Sequence, residues 1–139
     1  MNALPENLLY AELGSCLPTH LSTVLEASYV APDKANCFNS ALHFFDNRPV
    51  EFLDEHSFAE EIAENFDPLP ENSETQYGDL GVVYENGIPF HAFVVISGNW
   101  GFTKNGTEPF KRHRFQRISS IASRYFANDL RYFRKKQSN

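Results

Sequence analysis

The chain has 139 residues, 42% of them hydrophobic, 22% charged and 14% aromatic with thirteen phenylalanines, which is enough for one domain with a ring-rich core that needs no metal or disulfide as a staple. A formal net charge of −6 and a pI near 5.3 exclude a general nucleic-acid binder, which needs a basic face for phosphates. No stretch approaches the ~20 apolar residues of a membrane span and neither end reads as a targeting signal, so the cytoplasm is the expected location and two free thiols, Cys16 and Cys37, the expected redox state.

The single domain is expected to have its core between about residues 18 and 133, with frayed ends. "PTHLSTVLEASYV", residues 18–30, places Leu21, Val24, Leu25 and Tyr29 at helical spacing behind Pro18. After the turn-like "APDKAN", Asn36 is an N-cap for a helix through Cys37, Ala41, Leu42, Phe44 and Phe45, which "DNRP" ends. "SFAEEIAENF", residues 57–66, has a capping-box pair in Ser57 and Glu60 and an apolar face of Phe58, Ile62 and Phe66. "DPLPENSETQYG" is a polar loop. The period then changes: "DLGVVYE" and "IPFHAFVVIS" flank the hairpin signal "NG", a short strand at "WGFT" leads to a turn at "KNGTEP", and "FKRHRFQRI" supplies one more strand. "SSIASRYFANDLRYF", residues 119–133, returns to helical spacing through Ile121, Tyr125 and Leu130. Helices, then an antiparallel meander, then a terminal helix make an α+β pattern with helices packed on one face of a sheet.

Two residues in this order can carry chemistry. Cys37 stands in the first turn of a helix, where unpaired backbone N–H groups favour a thiolate. His91, in "IPFHAFVVI", is an ionisable ring on a strand with both faces apolar, a costly placement unless the ring is paired or used. A cysteine nucleophile needs such a base, and the base needs a third polar group to orient it. Each residue alone also reads as an ordinary core side chain. Cys16, which lies in a loop two residues before a proline, is a weaker nucleophile. His20, His43, His56, His91 and His113 lack the spacing of a metal site, and no cofactor is implied.

The order of "NCFNSALHFF", "YGDLGVVYENGIPFHAFVVISGN" and "WGFTKNG" resembles the NlpC-type papain-like cysteine peptidases over roughly residues 35–106. The resemblance implies a papain-like fold, Cys37 as the nucleophile that attacks an amide carbonyl, His91 as base and then acid, and Asp79 of "GDL" as a turn-capping residue. The family's third residue is a His, Asn, Gln or acid about a dozen positions past the base. That window holds Thr103, Lys104 and Asn105, of which Asn105 is chemically the best acceptor for an imidazole N–H although it also reads as a turn residue. Trp100, close after the histidine strand, is a candidate lining of a substrate groove. The family's usual Asp-Cys-Ser is Asn-Cys-Phe here. The expected function is amide or isopeptide hydrolysis, with a peptide, a peptidoglycan stem or another amide as substrate; a wall target would require delivery by a non-classical route. The alternative is a non-catalytic protein-interaction domain that keeps the scaffold.

Overall fold

The computed structural model of the chain describes residues 13, 15–21, 36–49, 51–104, 113–125 and 129–137. A 3-10 turn at Thr19–Leu21 precedes α1 (Cys37–His43) and α2 (Glu55–Asn65). Then come β1 (Phe66–Pro68), β2 (Leu80–Glu85), β3 (Ile88–Ser97), β4 (Trp100–Lys104), β5 (His113–Arg117), α3 (Ile118–Arg124) and β6 (Leu130–Lys135). The class is α+β: the described residues include the three helices named above and one six-stranded antiparallel sheet in the order β1-β6-β2-β3-β4-β5. No described helix is long and apolar enough to cross a membrane.

The meander from β2 to β5 forms as its sequence predicts. Asn86 and Gly87 take φ of 53° and 78°, the paired left-handed conformation of a tight hairpin turn whose twist matches the flanking strands. Asn36 caps α1 through its side chain, also as expected. The cap of α2 lies three residues earlier than the Ser57–Glu60 pattern suggests: Asp54 accepts from the Ser57 N–H at 2.8 Å and from its hydroxyl at 3.1 Å, so Ser57 sits inside the first turn. Phe66 leaves that helix to begin β1. Of the helix expected over 18–30, residues 22–30 lie outside the described residues, as does the turn expected at "KNGTEP" past Lys104.

The terminal helix expected over 119–133 is corrected. Its first part is α3, but Leu130–Lys135 is a strand lying between β1 and β2. Both neighbours would otherwise present unpaired edges, and pairing Leu80 with Phe133 buries that ring to 8% exposure. Arg134 then donates two hydrogen bonds, both 2.9 Å, to the buried carboxylate of Asp79. Tertiary demand overrides a weak helical period.

Alternation along the strands divides the core. One face, with Leu80, Val82, Ala92, Val94, Phe102 and Phe133, packs under α1 and α2. On the other, Phe93 and Val95 meet Ile118 and Ile121 of α3. The Phe93 ring lies flat across two glycines on the flanking strands: a Cβ at Gly81 would stand 2.2 Å from it, and one at Gly101 3.0 Å. Gly81→Ala therefore forces Phe93 out of place and is expected to destabilise the fold by roughly 1–3 kcal/mol. Urea unfolding of Gly81→Ala, Phe93→Leu and the double variant checks it: the smaller side chain should recover part of the Gly81→Ala loss, and strict additivity would contradict the packing described.

Candidate active site

Cys37 is the first residue of α1, and Asn36 holds it there. Asn36 is 6% exposed; its Oδ1 accepts from the N–H groups of Asn39 and Leu53, both at 3.2 Å, while its Nδ2 donates to the Leu53 carbonyl at 2.7 Å. Ionised aspartate could accept but not donate, which gives a physical reason for asparagine at this position. Phe38 is buried and stacks on Phe58 of α2 at 4.3 Å, so it anchors the helix.

The site forms where β3 and β4 part. Their pairing runs from Ser97 with Trp100 to Val94 with Phe102, after which Thr103 and Lys104 stay paired with β5 alone. Ala92 lies beyond the last rung, and side chains take up its peptide groups. Its N–H is near enough to the Cys37 sulfur to favour the thiolate. Its carbonyl accepts from the Thr103 hydroxyl at 3.1 Å. A hydroxyl has one proton and a carbonyl can only accept, so in the 2.9 Å contact between Thr103 Oγ1 and His91 Nε2 the imidazole is the donor. The proton is thereby fixed on Nε2, and Nδ1 carries the lone pair.

Thr103, one of the three residues in the predicted window, is thus the partner of His91. Lys104 is fully buried on the opposite face of β4, the Cys37 side, where its charge favours the thiolate. Asn105 lies outside the described residues. Trp100 begins β4 opposite Ser97, six residues along β3 from His91 or roughly 20 Å at ~3.3 Å per residue, with Arg117 4.8 Å over its ring. The structure does not bring it to the histidine. Asp79 is 1% exposed and accepts from the Gln76 N–H at 2.8 Å, so it does cap its turn. Cys16 is exposed, and its carbonyl accepts from the Tyr77 hydroxyl. Among the described residues, no group of three or more His, Cys, Asp or Glu is placed to hold a metal ion.

The Cys37 sulfur lies close enough to Tyr125, the ring stacked on His91, for their charges to act on each other, and among the described residues no hydrogen bond joins the cysteine and the histidine directly. Both are neutral at pH 7. Burial raises the Cys37 thiol to about 11, against the pull of the N–H groups of Ala92, Phe38 and Cys37 itself and of Lys104. Burial lowers His91 to about 3, helped by the charge of Arg124. A helix of seven residues has little dipole, so the direct N–H contacts are what stabilise sulfur charge here.

Tyr125 is the residue that sequence reasoning missed as part of the site. Its ring stacks on His91 at 4.0 Å and 17°. It is held by α3, whose start is clamped by Asn99 in the β3–β4 turn. The Asn99 carbonyl accepts from the Ile118 N–H at 2.7 Å, and its side chain exchanges two hydrogen bonds of 3.1 Å with Ser119. No sequence spacing links residue 125 to residue 91; the link runs through the tertiary docking of α3. No protein-family model, curated protein or solved structure matches the chain.

Two outcomes follow from this geometry. Thr103→Val leaves the Ala92 carbonyl without its side-chain donor and the imidazole N–H unpaired, a loss of roughly 1–3 kcal/mol in denaturant unfolding that Thr103→Ser should largely restore. The second is a pH dependence. The unfolded chain protonates His91 below its ordinary 6.5 and the folded chain only near 3, so acid favours unfolding throughout that window. Between pH 6.5 and 5 the contribution is about 2 kcal/mol, lost as pH falls. His43, also lowered by burial, adds to it in the same direction. His91→Gln should remove about 2 kcal/mol of this acid sensitivity; an unchanged pH profile of stability would mean the ring is not held neutral.

Proposed function

We propose that the protein is a thiol hydrolase of the papain-like, NlpC-type class that cleaves an amide or isopeptide bond of a peptide. The observation that carries the reading is the backbone of Ala92, released from the sheet ladder, with its N–H near the candidate nucleophile and its carbonyl bonded to the residue that orients the candidate base. In this mechanism the Cys37 sulfur attacks the carbonyl carbon and its proton passes to His91 Nδ1. The tetrahedral intermediate then collapses by breaking the C–N bond, and His91 gives the proton to the leaving amine. Water hydrolyses the thioester, with His91 again as base, to release the acid and restore the thiol. Thr103 takes the orienting role in place of Asn105. Because thiol and imidazole rest neutral, proton transfer accompanies attack instead of preceding it.

A second reading, a non-catalytic interaction domain on the same scaffold, is favoured by one specific observation: His91 is 2% exposed, and the half-buried thiol is raised to about 11, so the base is sealed and the thiol uncharged.

An acyl donor with a coloured leaving group separates the two. p-Nitrophenyl acetate should give a burst of about one p-nitrophenolate per chain, with the acetyl group found on Cys37 by mass spectrometry. Cys37→Ser should abolish the burst with unfolding behaviour unchanged. His91→Gln should slow both acylation and deacylation by roughly 100-fold or more, the scale of general-base catalysis. Acetylation of Cys37 at equal rates in wild type and His91→Gln would leave a scaffold without its chemistry.

A further inference from the structure

Beside the His91–Tyr125 stack lies a cavity of about 480 Å³, lined among others by Val83, Tyr84, Glu85, Phe90, Tyr125 and Asp129. Tyr125 is common to both: it forms a wall of the cavity, and its ring covers the imidazole. The cavity owes its shape to a β-bulge. The register of β2 and β3 shifts between Val83 and Tyr84, so that Val83 pairs with His91 but Tyr84 with Pro89. Phe90 is the extra residue. It is 49% exposed and meets Tyr125 edge-on at 5.7 Å and 80°, while Ile88, two residues before it, is 54% exposed. A large apolar ring is thus held at the mouth of a cavity and left uncovered.

The charges around the cavity select its occupant. The guanidinium of Arg131 lies 4.5 Å over the Tyr84 ring, and that of Arg124 5.7 Å over Tyr125, so each tyrosine already carries a cation. Arg131 is locked there by two hydrogen bonds to Asp129, at 2.9 and 2.8 Å. A basic side chain entering the cavity would meet these arginines, and an acidic one would meet Glu85 and Asp129. A neutral planar group meets neither penalty and finds three rings to pack against.

We propose that this cavity is a specificity pocket for an aromatic side chain, such as phenylalanine, adjoining the bond that Cys37 attacks. The pocket rests on the hydrolase reading for its purpose, but its occupancy is measurable without any reaction.

Two α-chloroacetamides test it, N-chloroacetyl-phenylalanine amide and N-chloroacetyl-glycine amide. Each forms a bond from the Cys37 sulfur to the methylene carbon as chloride leaves and the thiol proton is lost. Rates are read by mass spectrometry and divided by those for glutathione. The phenylalanine reagent should label Cys37 at least about tenfold faster than the glycine reagent, the gain expected from burying one ring. In Phe90→Ala, a change at a half-exposed position, the preference should fall to about threefold or less. Equal rates for the two reagents, or a preference that survives Phe90→Ala, would overturn the pocket. In parallel, saturation-transfer NMR follows N-acetyl-phenylalanine amide with wild type, Phe90→Ala and Cys37→Ser. Transfer in wild type and Cys37→Ser that is lost in Phe90→Ala supports the pocket even where Cys37 resists every alkylating agent, a result that would sink the hydrolase reading alone. No transfer to any form would overturn the pocket.

Discussion

The backbone of Ala92 is the point on which the site depends. In a continuous sheet its N–H and carbonyl would be spent on a neighbouring strand. Here β3 and β4 separate one rung too early for that, and a buried peptide cannot be left unsatisfied. The N–H is left beside the Cys37 sulfur, whose negative charge it favours, and the Thr103 hydroxyl takes the carbonyl. That bond commits the only proton of Thr103, which in turn dictates the tautomer of His91. The Ala92 methyl is fully buried in the larger core, which fixes this residue beside the site.

Much of this was legible in the sequence. The "NG" hairpin, the strands of the meander and the Asn36 cap all rest on local chemistry, which sequence states directly. What local pattern did not reveal were the elements whose conformation depends on distant partners. Leu130–Lys135 carries a tolerable helical spacing, and it is a strand because β1 and β2 each lack a neighbour and Asp79 lacks a cation. Asp54 outcompetes Ser57 as the cap of α2 because a carboxylate one turn earlier reaches the Ser57 N–H.

The third residue shows the same limit at finer scale. Counting back from the turn, Ser97 opposite Trp100 would put Lys104 on the face of His91 and Thr103 on the other. The register shifts between Val95 and Ser97, and that one extra residue, Ile96, exchanges the two faces. Thr103 arrives beside the imidazole, and Lys104 turns into the core with Cys37. Nothing in "FVVISGNWGF" announces a bulge, so Thr103, Lys104 and Asn105 could not be separated in advance. Tyr125 was further out of reach, because its position follows from Asn99 clamping α3 to the far end of the hairpin.

The central place of β6 also has a consequence in time. During synthesis Asp79 is made 55 residues before Arg134, the cation that holds it. At the usual ~5–20 residues per second the ribosome needs about 3–11 s to cover that interval. Until then β2 exposes an open edge beside a carboxylate destined for burial, and β1 has no strand to join. The sheet cannot close progressively from its N-terminal side. Its completion waits for a late segment, which makes that interval the one in which the nascent chain is most open to pairing with the wrong partner.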